Sequence, residues 1–155
     1  MKLQISTQLA IFAALELTAR EGRQLSVAEI GEKFGVSSHH LAKVMHVMGR
    51  AGLVRSVRGA GGGYQFAGNA RRTTLLDVAQ LFEDLSSVEQ DTRVVDETPE
   101  GHALREVLNE IDAIALATLG SITIATMRKL VDRCRVGDGR RLKAALSRRK
   151  DQPRF

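Results

Sequence analysis

A glycine-rich run between two short strand-like segments is the feature that most constrains the fold of this chain. Residues 58–64 read Arg-Gly-Ala-Gly-Gly-Gly-Tyr, after the strand-like segment 53–57 and before a second one, 64–67. Glycine adopts the positive φ angles that turns between antiparallel strands require. The run therefore predicts a β-hairpin with an arginine at its base.

Glycine-rich runs also bind phosphates in nucleotide-binding proteins, but this run lacks the required context. The dinucleotide-binding motif leads from its glycines into a helix, whereas here the chain continues into Tyr64-Gln65-Phe66, which is strand-like. The P-loop motif needs lysine followed by serine or threonine after its last glycine, and neither follows Gly63. A hairpin in another kind of β-containing domain is the remaining alternative to a winged helix.

The segment ahead of the hairpin has the spacing of a helix-turn-helix. Ser26 and Glu29 form a capping-box pattern, which opens a short helix. A glycine-containing turn then leads to a second helix, capped by Ser37 or Ser38. Two helices with this short connection, followed by a hairpin, indicate a winged helix-turn-helix. We expect a mainly α fold with one small β-hairpin.

The second of these two helices should present its outward face to DNA. With Leu41, Val44, Met45 and Met48 directed inward, His39, Ala42 and Lys43 lie where a recognition helix meets base edges. His46 also lies on the outward side. The candidate DNA-binding residues of the helix and the hairpin are Ser37, Ser38, His39, His40, Lys43, Arg50, Arg58, Gly59, Gly61, Gly62 and Tyr64.

No group of residues has the spacing of a catalytic or metal site. No carboxylate pair and no Ser/His/Asp set is evident, so we expect no enzyme and no catalytic residues. His39 and His46 lie about 10 Å apart along a helix, too far to share one metal ion directly. No segment approaches the roughly eighteen apolar residues of a membrane span, and the single cysteine, Cys134, excludes an internal disulfide. We expect a cytoplasmic protein with no membrane partner.

Charge is spread unevenly along the chain, whose net charge is +5. Basic residues outnumber acidic ones ten to seven over residues 1–85 and eleven to three over 128–155, whereas acidic residues prevail eight to two over 86–127. A basic balance favours a polyanionic partner. The predicted organisation is a winged-helix domain over 1–85, a loop over 86–98, a dimerisation helix and a short helix over 99–132, and a basic, flexible tail over 133–155.

The C-terminal half contains a long amphipathic helix. Thr98-Pro99 pairs an N-cap residue with proline at the first helical position. Apolar residues then recur at spacings of four and three, as in a coiled-coil seam. A seam longer than a small domain can cover usually pairs between subunits, and packing onto the same domain is the alternative. Helices are also expected over 75–85 and 124–131. The seam residues are Leu104, Leu108, Ile111, Ala115 and Thr118.

The order of these elements and two of their segments resemble the Rrf family of bacterial winged-helix regulators, which includes the IscR, NsrR and CymR types. The segments are 37–44, Ser-Ser-His-His-Leu-Ala-Lys-Val, and 52–64, Gly-Leu-Val-Arg-Ser-Val-Arg-Gly-Ala-Gly-Gly-Gly-Tyr. The resemblance covers residues 1–132. It implies a homodimeric transcriptional regulator, which we expect to repress by binding a pseudo-palindromic double-stranded DNA operator. The alternative is a winged-helix module that binds nucleic acid or protein without operator specificity.

The chain departs from this family at the cofactor site. Cluster-sensing members carry three cysteines in the loop before the dimerisation helix, but residues 86–98 contain none, and only His102 matches a ligand position of the IscR type. One histidine cannot hold an iron-sulfur cluster, so we expect no cofactor. Cys134 lies between two arginines, which would suit a redox sensor, although an ordinary thiol is the favoured interpretation. A small molecule or a protein co-regulator remains open as the signal.

Overall fold

The computed structural model describes residues 3–20, 22–85 and 98–150, and within these ranges it contains six helices and one hairpin. The predicted fold class, mainly α with a small β-hairpin in a winged-helix arrangement, is confirmed. No helix in these ranges is long and apolar enough to cross a membrane. In chain order the elements are α1 (Ile5–Ala19), α2 (Val27–Phe34), α3 (Ser38–Arg50), β1 (Val54–Val57), β2 (Gly63–Phe66), α4 (Leu75–Ala79), α5 (Pro99–Ser121) and α6 (Ile124–Lys150).

Helix α1 lies at the centre of the domain and is buried on several sides. It contacts α3, α4, α6 and β2, which explains why its sequence is apolar around most of its circumference rather than along one stripe. The predicted inward face of α3 completes the core, and its four side chains are at most 2% exposed. These residues are Leu41, Val44, Met45 and Met48.

The two helices of the helix-turn-helix begin at side-chain caps. The Ser26 hydroxyl accepts a hydrogen bond from the Glu29 N–H, and the Glu29 carboxylate accepts one from the Ser26 N–H. The backbone hydrogen bond from Ser26 lowers the pKa of Glu29. Ser37, rather than Ser38, caps α3, because its hydroxyl accepts from the His40 N–H at 3.2 Å. The predicted helix starts are thus confirmed.

The hairpin is fixed to the helix-turn-helix by a third backbone segment. β1 and β2 pair antiparallel, with Val54 opposite Phe66. Leu25, ahead of α2, pairs with Tyr64 of β2 through two backbone hydrogen bonds of 3.0 and 2.8 Å. A Cβ atom on Gly63 would lie 2.5 Å from the Leu25 carbonyl oxygen. Glycine at position 63 therefore permits the close approach that orients the wing.

The α5–α6 connection is attached to the winged-helix domain by backbone hydrogen bonds. The Leu75 N–H donates to the Ile122 oxygen at 2.8 Å, and the Ile124 N–H donates to the Thr73 oxygen at 2.9 Å. Ile124 is fully buried in the domain core. The start of α6 is therefore part of the winged-helix core rather than of a separate domain.

Two sequence predictions about helix length are wrong. Helix α4 ends at Ala79, not at Leu85, and the Glu83 carboxylate instead accepts hydrogen bonds from the Thr7 hydroxyl and the Gln4 N–H at the start of α1. Helix α6 continues to Lys150 rather than ending at Val131, so residues 133–150, predicted as part of the tail, are helical. Arginine, lysine, alanine and leucine dominate this segment and are strong helix formers. The predicted loop 86–98 lies outside the described residues, apart from Thr98.

Candidate nucleic-acid interface

Four exposed side chains share the outward face of α3. His39, Lys43, His46 and Arg50 are spaced by four, three and four residues, which places them on one side of the helix. The opposite side of α3 is buried. Lysine and arginine bind phosphates and guanine edges, and histidine both donates and accepts hydrogen bonds. We call these four residues the α3 stripe, and their chemistry suits contact with a nucleic acid.

The N-terminus of α3 adds a second feature that suits contact with a phosphate. Ser37 and Ser38 are exposed there, and the N–H groups of a helix N-terminus attract phosphate. His40, by contrast, is half-buried, and its Nε2 lies 3.3 Å from the Ser6 hydroxyl of α1. Its ring therefore holds the start of α3 against α1. Ala42 is also half-buried, so the exposed stripe is narrower than the sequence suggests.

The tip of the wing is exposed and free of bulky side chains. Arg58, Gly59 and Gly61 are all exposed, and the two glycines have φ angles of 112° and 72°. L-residues with a side chain rarely adopt these angles. Gly62 is half-buried, and Tyr64 packs against the hydrophobic core. Among the predicted wing residues, Arg58 is therefore the side chain that the structure presents to solvent, whereas Tyr64 anchors the hairpin.

A group of arginines beside the wing was not among the residues predicted from the sequence. Arg20, Arg23, Arg55 and Arg71 line an open groove of about 810 Å³. Arg55 donates to the Gln65 amide oxygen from its Nη2 at 2.9 Å and its Nε at 3.2 Å. The hairpin register places Arg55 opposite Gln65, so that register is the signal that could have found Arg55. Arg20 and Arg23 are paired with Glu16 and Glu29, so the net positive charge of the groove comes from Arg55 and Arg71.

Helix α5 presents an apolar face to solvent. Leu104, Val107, Leu108, Ile111 and Ile114 are 45–60% exposed, and we call them the α5 face. Of the other predicted seam residues, Ala115 is half-buried, and Thr118 is exposed with its hydroxyl donating to the Ile114 oxygen. The seam is thus uncovered over its first three turns. Exposed apolar faces of this length typically mark an interface.

The sequence matches the model of the Rrf2 family, described as an iron-dependent transcriptional regulator, over residues 3–129. The chain belongs to the Rrf2 family. This Rrf2 protein is 46% identical over 132 residues to BadM of Rhodopseudomonas palustris, which is described as an HTH-type transcriptional regulator. The match covers 85% of this chain and 84% of BadM.

Two solved structures resemble this Rrf2 protein over most of its length. One is CymR (YrzC), the global cysteine regulator of B. subtilis, with a TM-score of 0.73, 27% identity and coverage of 84% of this chain and 98% of CymR. The other is IscR of T. potens, with a TM-score of 0.70, 27% identity and coverage of 86% and 90%. The predicted family resemblance is confirmed. The protein is a transcriptional regulator with a DNA-binding winged helix, and not an enzyme.

The residues of this Rrf2 protein do not fit an iron-sulfur cluster. Cluster sites are built mainly from cysteine thiolates, and the chain has a single cysteine, Cys134, which is exposed on α6. His102 is exposed in the first turn of α5. Among the residues that the structure describes, no three His, Cys, Asp or Glu side chains lie close enough together to hold a metal ion. The donor set separates this chain from the cluster-sensing members.

Proposed function

We propose that this Rrf2 protein is a homodimeric repressor that binds a pseudo-palindromic operator. The proposal of a dimer rests on the α5 face, whose five large apolar side chains are 45–60% exposed on a single chain. A symmetric pairing of two α5 helices would bury the face on both subunits at once. Two-fold symmetry would then place two copies of α3 on two related half-sites.

On each half-site, α3 enters the major groove and the wing contacts the adjacent minor groove. The α3 stripe supplies base and phosphate contacts, and the exposed serines at its N-terminus supply further phosphate contacts. Arg58 is the first residue after β1, in the exposed turn of a glycine hairpin that can approach the DNA backbone closely, and narrow minor grooves attract arginine. Arg55 and Arg71, in the groove beside the wing, extend the contact along the phosphate backbone.

Selection of bound fragments from genomic DNA tests this proposal. The regulator should recover one palindromic motif with half-sites about one helical turn apart. A Lys43→Ala/Arg58→Ala double variant should lose the enrichment, whereas Lys129→Ala, an exposed change on α6, should keep it. Enrichment of all sequences alike would favour the alternative, a module that binds nucleic acid without operator specificity.

The direction of regulation is tested on the promoter that the selection recovers. A repressor bound over the promoter lowers transcription from it, so adding the purified protein to an in vitro transcription reaction should reduce the transcript. A variant unable to bind the operator should leave the transcript level unchanged. An increase in transcript would show an activator and contradict the repressor assignment.

We further propose that operator binding needs no iron-sulfur cluster, because the chain offers one thiol per subunit. Protein purified without oxygen should contain no stoichiometric iron and sulfide, and it should bind its operator in that form. A visible absorption band from thiolate-to-iron charge transfer that disappears in Cys134→Ser would contradict this proposal. The same variant tests whether Cys134 acts as a redox sensor, since oxidant should then alter operator affinity only in the wild type.

A further inference from the structure

An apolar cavity of about 200 Å³ lies between α1, α2 and α6. The rings of Phe12 and Phe34 stack at its wall, with their centroids 5.2 Å apart and their planes inclined by 23°. Leu15, Met127 and Val131 complete the apolar lining, and all three are half-buried. The cavity therefore offers aromatic and aliphatic surface at the junction of the helix-turn-helix with the C-terminal helix.

The positive side chains around this cavity are not all paired with negative ones. Glu16 is paired with Lys33 and with Arg20. Arg128 lines the cavity and is half-buried. Its guanidinium donates one hydrogen bond, from Nη1 to the Thr18 carbonyl oxygen at 2.7 Å, and it forms no ion pair with any residue in the described ranges.

A guanidinium has five N–H donors, so one bond to the end of α1 leaves most of them available. Arg135 and Asp132 also line the cavity, and their charges offset each other because Arg135 Nη1 lies 3.8 Å from Asp132 Oδ1. Among the described residues that line the cavity, Arg128 is thus the cation without an ion pair, beside an apolar interior. A half-buried cation of this kind is stabilised by an anion that forms charge-assisted hydrogen bonds with it.

We propose that this cavity binds a small carboxylic acid with an aromatic or branched aliphatic body, whose carboxylate pairs with Arg128. The size limits the ligand, because an apolar cavity of about 150 Å³ admits a benzene ring and pockets for drug-sized ligands begin near 300 Å³. The aromatic walls formed by Phe12 and Phe34 receive the apolar body. The ligand carboxylate accepts hydrogen bonds from guanidinium N–H groups that have no acceptor among the described residues.

Occupancy of this cavity changes the affinity for DNA, a consequence that rests on the proposed operator-binding function. Phe34 is the last residue of α2, and α3 begins four residues later at Ser38. A ligand held between Phe34 and α6 therefore acts on the segment that positions the recognition helix. The change in DNA affinity equals the difference in ligand affinity between the free and the DNA-bound protein.

Calorimetric titration of the full-length protein without DNA tests the site directly. Phenylacetate should bind, and phenylacetamide, which has the same shape without the charge, should bind at least about tenfold more weakly. Arg128→Gln should reduce phenylacetate affinity by a similar factor, Arg128→Lys should retain most of it, and Arg133→Gln, a matched loss of charge on the exposed side of α6, should leave it unchanged. Equal affinity for acid and amide, or no binding by the wild type, would overturn the proposal.

A second variant separates loss of the site from loss of the fold. Ala19 is exposed at the end of α1 and lines the cavity, so Ala19→Phe should fill it and abolish phenylacetate binding while the circular dichroism spectrum is unchanged. Operator affinity measured without ligand reports on the proposed function alone. Operator affinity that shifts with phenylacetate in the wild type, but not in Ala19→Phe or Arg128→Gln, would support the regulatory role, and no shift in the wild type would overturn that role.

Discussion

Apolar side chains at helical spacing are buried in the winged-helix domain but exposed on the α5 face. The inward side chains of α3 are at most 2% exposed, whereas the apolar side chains of the α5 face are 45–60% exposed. Both helices carry apolar residues at helical spacing. The difference is that α3 packs on α1, α2 and β1 of the same chain, whereas the five side chains of the α5 face stay exposed even though α5 contacts α4.

This contrast indicates that the two regions depend on different contacts for their stability. The DNA-binding half completes its core within one chain, because α1 is surrounded by helices and the hairpin. The α5 face gains comparable burial only when a second apolar surface covers it. Substitutions in the two regions should therefore have different consequences, one for the folding of a subunit and the other for its association.

The largest expected effect comes from a charge in the middle of the α5 face. Ile111→Asp would place a carboxylate in the proposed dimer interface, where its desolvation is costly. Sedimentation should show monomers or aggregates, and operator affinity should fall by on the order of 100-fold or more because two linked half-site contacts become one. Asn109→Asp adds the same charge to an exposed position of α5 outside the α5 face and should leave a dimer. A wild-type protein that is monomeric at micromolar concentration would contradict the proposed interface.

A substitution in the α3 core should affect the fold rather than association. Met45 is fully buried, and Met45→Ala should lower the free energy of unfolding by about 2–5 kcal/mol through lost burial and a residual cavity. Urea denaturation at fixed protein concentration measures this change. The exposed neighbour His46 provides the control, since His46→Ala should change the stability by less than about 0.5 kcal/mol. Equal effects of the two substitutions would show that α3 is not packed as the structure describes.

Removal of the wing arginine should weaken DNA binding without changing stability. Arg58→Ala should cost about 1–3 kcal/mol of operator binding, because an arginine in a narrow minor groove interacts favourably with its negative potential. Titration of operator DNA at fixed salt concentration measures this loss, and Arg133→Ala on α6 controls for the general effect of charge. Unchanged affinity in Arg58→Ala would refute the assignment of the wing to the minor groove.

Substitutions along the α3 stripe are expected to change sequence preference more than overall affinity. Lys43 and His39 lie in the first turns of α3, where recognition helices contact base edges. Lys43→Ala or His39→Ala should change the preferred base at defined operator positions, by about 1–3 kcal/mol for each lost base contact. Binding to a library of single-base operator variants measures this preference. A uniform loss for all sequences would identify the two residues as phosphate contacts.

The sequence was sufficient to predict the helix-turn-helix and the wing because their signals are local. Ser26 and Ser37 cap helices with their own side chains, and the glycines of the wing are required by backbone angles at those positions. The pairing of Leu25 with Tyr64 could not be predicted in this way. It consists of backbone hydrogen bonds between distant segments, which any residue type except proline can donate and accept.

Side-chain direction and helix length were the points at which sequence reasoning failed. His40 is adjacent to His39, and the sequence does not show that His40 turns toward Ser6 while His39 remains exposed. A high density of basic residues favours disorder beyond Val131, but arginine and lysine also favour helices, and α6 continues to Lys150.

The attachment of α6 to the domain has a consequence for the spacing of DNA sites in a genome. Ile124 is buried in the winged-helix core, and its N–H is bonded to Thr73, so a dimer formed through α5 would hold its two recognition helices at a fixed separation and angle. Inserting one base pair between half-sites turns one of them by about 35° around the duplex axis and moves it by about 3.4 Å. Two recognition helices held rigidly by the dimer cannot follow this rotation. Promoters under its control would therefore tolerate base changes between the half-sites far better than insertions or deletions of a single base pair there.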